Sequence, residues 1–189
     1  MLVLVAGLLV FLGVHLSTRA RDNRARLIAR FGEGPYKIAY SAVSVIGLVL
    51  IVLGWRSSPF IAVWSPPDWT RHVTIALMWP AFILLAAAYL PGHIRAKAKH
   101  PMLAALKLWA TAHLLSNGDL ASLILFGSFL AYGVVDRIAL KRAERRDGRP
   151  PQTASGRNDI LAVVIGTAAY LLFGFFLHPI LIGVPVFRV

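Results

Sequence analysis

Residues 38–55, IAYSAVSVIGLVLIVLGW, carry no charged side chain, and neither do residues 1–18 or 73–94. Two further uncharged or nearly uncharged runs cover 120–135 and 160–187. A hydrocarbon core of about 30 Å asks for roughly twenty apolar residues in a helix. Only closed hydrogen-bonding structures survive there, and for runs of this length that means helices. The segment 101–116, PMLAALKLWATAHLLS, is shorter and contains Lys107. Counting it as a short fourth span gives an all-α, polytopic transmembrane bundle of six spans, with five spans or a re-entrant segment as the alternative. At 58% hydrophobic and 15% charged, the chain lies far from the composition of soluble enzymes or disordered proteins. Cysteine is absent, which excludes disulfides, thiolate metal sites and covalent haem attachment.

The formal charge of +12 would suggest nucleic acid if it were clustered on a soluble face. It is instead divided among loops. Loops 17–37, 91–100 and 136–158 hold 16 of the 20 basic residues, and the segments between the other span ends hold three. Basic residues concentrate on cytoplasmic loops. Both termini are therefore expected outside, in the periplasm if the chain sits in a bacterial inner (cytoplasmic) membrane. The first charge, Arg19, follows the first apolar run, which reads as a retained helix rather than a secretory signal. The charge is thus a topology signal that also attracts anionic lipid. Membrane lipids are the expected partners, nucleic acid is not, and the sequence leaves the oligomeric state open.

No internal repeat is visible, so 1–189 reads as a single transmembrane domain. Residues 141–158, KRAERRDGRPPQTASGRN, read as a helical extension running into a flexible cytoplasmic loop, because charge, Pro and Gly leave nothing apolar to bury. Ser44, Gly47 and Gly54 on the second run, and Ala162, Gly166 and Gly174 on the last, are spaced for close helix packing. Asn117 and Asp119 are expected to form the turn between the fourth and fifth spans, with Gly118 permitting the turn and Asp119 capping the next helix.

Six histidines in a chain of this size are the chemical feature. An ionisable side chain inside a membrane helix is costly. His72 and His93 fall at expected membrane boundaries, His100 precedes Pro101 in a basic loop, and His178 lies near the end of the last run, where an interface or a carbonyl accounts for it. His15 and His113 lie within apolar stretches, and His113 follows Trp109 by one helical turn. Neutral imidazoles are common metal ligands, and bundles build cofactor sites between helices. With no cysteine, the residues leave two readings: ligands of a non-covalent haem iron, or imidazoles hydrogen-bonded within a bundle. His100 and His113 are about 20 Å apart along a straight helix, too far to serve one iron together.

The helix with GVHLS, the block KHPMLAALKLWATAHLLSNGDLASLILFG and the terminal LHPILIGVPVF together resemble the NnrU family over essentially the whole chain. Its plant and cyanobacterial branch isomerises the central cis double bond of zeta-carotene, using haem b held by two histidines. The resemblance implies haem b here, with His15 and His113 at the two ligand positions and Trp109 beside the cofactor. His100 matches the H-P histidine, preceded by Lys99 where members usually carry Arg; it is the reserve cofactor-binding residue, expected to meet lipid headgroups or an acidic group such as a haem propionate. Tyr132 stands where the isomerase branch has a further histidine. The implied activity is a redox-gated isomerase acting on a polyene lipid. The alternatives are a non-enzymatic haem protein of nitrite and nitric oxide metabolism (denitrification), or a haem-free structural membrane protein.

Overall fold

The computed structural model describes residues 1–19, 21–148 and 154–187. Among the described residues every regular element is helical. The chain forms two compact units, Met1–Ile61 and Ala62–Val189.

The first unit holds α1 (Leu2–Ser17), α2 (Arg21–Phe31) and α3 (Glu33–Arg56). Glycines bring α1 and α3 together. A Cβ on Gly7 would lie 2.6 Å from the Ile51 nitrogen, one on Gly47 2.9 Å from the Phe11 backbone, and one on Gly54 inside the Leu4 backbone. These pairs run in opposite directions along the two helices, so the hairpin is antiparallel. Gly47 and Gly54 were legible as packing positions, and Gly7 is the matching residue on the facing helix. Basic loop 17–37 is largely helical, since α2 fills most of it and α3 starts at Glu33. Gly32, at φ +88°, makes the break between them, a conformation that costs glycine little.

The second unit holds α4 (Trp69–Ala87), α5 (His93–Ala98), α6 (Pro101–Ser116), α7 (Leu120–Asp147), α8 (Gly156–Leu172), a π-helical turn (Phe173–Leu177) and α9 (His178–Ile182). Helix α4 packs against both α6 and α8, and α6 also packs against α7. Buried Thr74 donates its hydroxyl proton to the Ala112 carbonyl at 2.6 Å, tying α4 to α6. Trp79 donates to the Thr167 hydroxyl at 2.9 Å, and the Tyr170 hydroxyl donates to the Ile75 carbonyl at 3.1 Å, tying α4 to α8. In an apolar surrounding such bonds matter because the alternative is an unsatisfied polar group. Ala162 is buried, a Cβ on Gly166 would meet the Ile83 backbone, and one on Gly174 would meet the Phe187 ring.

Among the described residues, four helical segments are long and apolar enough to cross a membrane: Glu33–Arg56, Trp69–Ala87, Leu120–Asp147 and Gly156–Ile182. The count becomes five if α1 and α2, a bent pair, are one span. The sequence expectation of six counts α1 and α6 separately. Each has 16 residues, or about 24 Å of rise. Ser17 and Thr18 turn their hydroxyls back onto the Val14 and His15 carbonyls as α1 ends. Pro101 opens α6, and Asn117 closes it in an extended conformation. Of segment 141–158, residues 141–147 continue α7 and Gly156 opens α8. Residues 149–153 lie outside the described residues, and the expected mobility falls on them.

Asp119 caps α7 as expected, accepting the Ser122 N–H at 3.0 Å. Its neighbour Gly118 lies in the expected turn between α6 and α7 and has a second role there. Its backbone is not left-handed; a Cβ there would collide with the Trp64 carbonyl and with Pro66. The Gly118 carbonyl in turn accepts the N–H groups of Val63 and Trp64 at 2.8 and 3.1 Å. We expect Asp119→Asn to retain the thermal stability of the purified protein in detergent. Asp119→Ala should lose about 1 kcal/mol, the usual worth of such a cap. Equal melting of both variants would contradict the capping role.

Candidate imidazole site on α6 and α7

Helix α6 carries Trp109 and His113 one turn apart. The His113 Nδ1 lies 2.9 Å from the Trp109 carbonyl. A carbonyl only accepts, so Nδ1 carries the proton and the lone pair of the neutral ring sits on Nε2. This is the tautomer a metal-binding histidine adopts when a backbone carbonyl fixes its other nitrogen. The His113 ring stacks on Phe126 of α7, with centroids 4.5 Å apart and planes 28° from parallel. Trp109 meets Phe126 and Phe129 edge to face, at 5.0 and 5.3 Å. Both phenylalanines are buried. The imidazole is therefore oriented by its own backbone and held by an aromatic wall.

The C-terminal turn of α6 is pinned at the same residue. Asn117 donates both its backbone N–H, at 2.9 Å, and its side-chain amide, at 2.8 Å, to the His113 carbonyl. The expected turn residue thus also caps the helix that presents the imidazole.

His178 is the residue that sequence reasoning set aside. It belongs to the same compact unit as His113. The π-helical turn positions it: the His178 N–H bonds the Phe173 carbonyl five residues back. Pro179, which follows, has no N–H to continue the regular ladder. The His178 Nδ1 donates to the Val184 carbonyl at 2.7 Å, a contact made available by Gly183 at φ +86°. Its proton is therefore on Nδ1, as in His113. The signal in the sequence was the His-Pro pair inside an apolar run. A π-turn there could not be read from it, although such turns often mark functional positions.

His15 belongs to the first unit. Its Nδ1 donates to the Phe11 carbonyl at 2.7 Å, and its ring stacks on Phe11 at 4.2 Å and tilts toward Tyr40 at 5.4 Å. It shows the same tautomer in a similar aromatic setting.

His100 stands at the other end of α6 from His113, just before Pro101. The acidic group beside it is Glu144 of α7, with Nε2 and Oε1 2.8 Å apart. Arg137 lies 3.8 Å from the other Glu144 oxygen. Lys99, just before, has φ +63° and ψ −51°, the strained tight turn that lets the His100 N–H reach the Ala98 carbonyl at 2.7 Å. A second polar clasp joins α5 to α8. Asp159 accepts the N–H groups of His93 and Ile94 and the His93 ring N–H, at 3.1, 2.9 and 2.8 Å. Gly92 leaves room for that carboxylate.

Among the described residues, no group of three or more His, Asp or Glu side chains converges to hold a metal ion. The donor set is isolated imidazoles, each with its Nδ1 on a backbone carbonyl and its ring against an aromatic one. It fits a metal whose remaining ligands come with it, as a porphyrin brings four nitrogens to its iron. The apolar wall suits the macrocycle in the same way.

The family model described as NnrU protein matches residues 3–186. No curated protein and no solved structure matches the chain.

Proposed function

The chain belongs to the NnrU family, and from that premise we propose that it is an integral membrane protein that holds haem b on the imidazole of His113. The observation that carries this reading is the His113 ring itself. Its Nδ1–H is committed to the Trp109 carbonyl, its Nε2 bears the lone pair, and it stacks on Phe126. The iron would supply Lewis acidity and one-electron chemistry. The chain's own part is to keep the imidazole neutral and oriented, to surround it with Trp109, Phe126 and Phe129, and to keep water away. His15 is the second ligand implied by the family resemblance. His178 is the competing second imidazole, favoured by its Nδ1–H being committed to a backbone carbonyl, as in His113, within the same unit. Of the activities the resemblance implies, cis–trans isomerisation of a polyene lipid is the one that an aromatic-lined site within apolar helices suits. A role in nitrite or nitric oxide metabolism without turnover is the alternative.

The test is an absorption spectrum of protein purified with haem supplied during expression, oxidised and then dithionite-reduced. A sharp low-spin spectrum with split visible bands on reduction is expected. Protein that stays folded and colourless would end the haem reading. Incubation with a cis-carotene, with and without dithionite, then separates isomerase from non-enzymatic haem protein.

The proposed placement is a bacterial inner membrane, six spans, with both termini outside. It rests on the 16 to 3 division of basic residues and treats α1 and α6 as short spans. Reporter fusions after Arg145 and after Val189 should report opposite sides. The same side for both would remove the sixth span.

A further inference from the structure

Helix α2 joins the start of α3 through Gly32 and makes its interhelical contacts with α3. The Arg24 guanidinium stands 5.9 Å over the Tyr36 ring. The axis of residues 22–31 is turned 89° from α1, and α1 runs antiparallel to α3. If α3 crosses the bilayer, as the proposed function holds, α2 lies across the membrane normal at the basic end of that span. Its sequence is amphipathic. Leu27, Ile28 and Phe31 share one side, with Leu27 45% and Phe31 57% exposed, while Arg26 and Arg30 face the other. Exposed apolar side chains next to a row of guanidinium groups suit neither bulk water nor the acyl core. They suit the boundary between headgroups and chains. An open cleft of 690 Å³ lies against this helix, lined by Thr18, Arg24, Ala25, Ile28 and Ala29. Thr18 spends its hydroxyl proton on the His15 carbonyl, so among the described lining residues Arg24 is the side-chain donor. The rest is apolar.

We propose that α2 is an interfacial helix and that its cleft seats the phosphate of an anionic phospholipid on Arg24, with the upper acyl chain along Ala25, Ile28 and Ala29. A guanidinium matches phosphate in charge and shape. The apolar wall distinguishes a lipid from a free anion.

The chain lacks cysteine, so single-cysteine fluorophores report one position each. Full-length protein carrying Leu27→Cys, Arg26→Cys or Val45→Cys is reconstituted in nanodiscs containing phosphatidylglycerol and phosphatidylcholine. The Leu27 and Val45 labels should be shielded from aqueous iodide. The Leu27 label should be quenched by nitroxide placed near the lipid headgroup, and the Arg26 label by iodide. Equal iodide quenching at 26 and 27 with Val45 shielded overturns the inference and leaves the spanning reading intact. Iodide quenching at Val45 as well defeats both. In a second arm, the ratio of phosphatidylglycerol to phosphatidylcholine bound by the protein is measured by native mass spectrometry. Arg24→Gln should lower it about fivefold, the usual effect of one basic residue at an anionic surface, while Arg56→Gln should not change it. An unchanged ratio in Arg24→Gln removes the lipid from the cleft.

Discussion

Replacing His113 by alanine should abolish the low-spin haem spectrum. The variant removes the one Nε2 lone pair that the Trp109 carbonyl and the Phe126 ring hold in place. It also opens a hole against Phe126, so a general loss of folding must be separated from loss of a ligand. His113→Phe keeps an aromatic ring in the stack without a lone pair. It should retain a folded, monodisperse protein and still lose the spectrum. Free imidazole added to His113→Ala should restore low-spin haem, because the cavity left by the side chain accepts the ligand. The second ligand is identified in the same series. Loss in His15→Ala supports the pair implied by the family resemblance, and loss in His178→Ala supports the competing imidazole. His100→Ala should keep the low-spin signal, since its ring pairs with Glu144 at the far end of α6. Low-spin haem persisting in both His113→Ala and His113→Phe would refute His113 as a ligand.

Glycine substitutions should split by sign according to what each glycine faces. A Cβ on Gly166 would stand 2.6 Å from the Ile83 Cα and 2.8 Å from its nitrogen. Those are backbone atoms of α4 and cannot swing aside. Gly166→Ala should therefore cost about 1–3 kcal/mol, the range for overpacking a close contact. Gly166→Leu should cost more, because α8 must move off α4 and stretch the Trp79–Thr167 and Tyr170–Ile75 bonds. Gly127, inside α7, has nothing within 4 Å of a Cβ. There the only change is backbone preference, and Gly127→Ala should be neutral or gain up to about 1 kcal/mol. Thermal unfolding in one detergent, with the two alanine variants measured side by side, checks both directions. A shift of the same sign and size in both would show that close approach does not govern Gly166.

Much of this was written in local sequence. Uncharged runs require helices because backbone groups in an apolar medium must bond within their own segment. Asp119 acts on neighbouring backbone, so its capping was legible from the residues alone, whereas Asn117 was legible only as a turn residue and its hold on the His113 carbonyl came from the structure. Gly47, Gly54, Ala162 and Gly166 could be picked out because a small side chain is a precondition for close packing. The His113 ring and the Trp109 carbonyl are four residues apart on one helix, so even the tautomer follows from local geometry.

What remained undecided depends on residues far apart in the chain. Spacing alone does not separate Gly127, which meets nothing, from Gly166, which meets Ile83. Nor does it show that Gly118 makes room for the Trp64 carbonyl rather than for a left-handed turn. The sequence offered His178 an interface or a carbonyl; the π-helical turn and Gly183 decide for the Val184 carbonyl. Glu144 beside His100 follows from α7 continuing past its apolar run to Asp147, far enough to lay a carboxylate over the start of α6. Composition and period fix what a segment can bury, because those depend on its own residues. The identity of what it is buried against is a property of the assembled helices, and only the tertiary structure decides it.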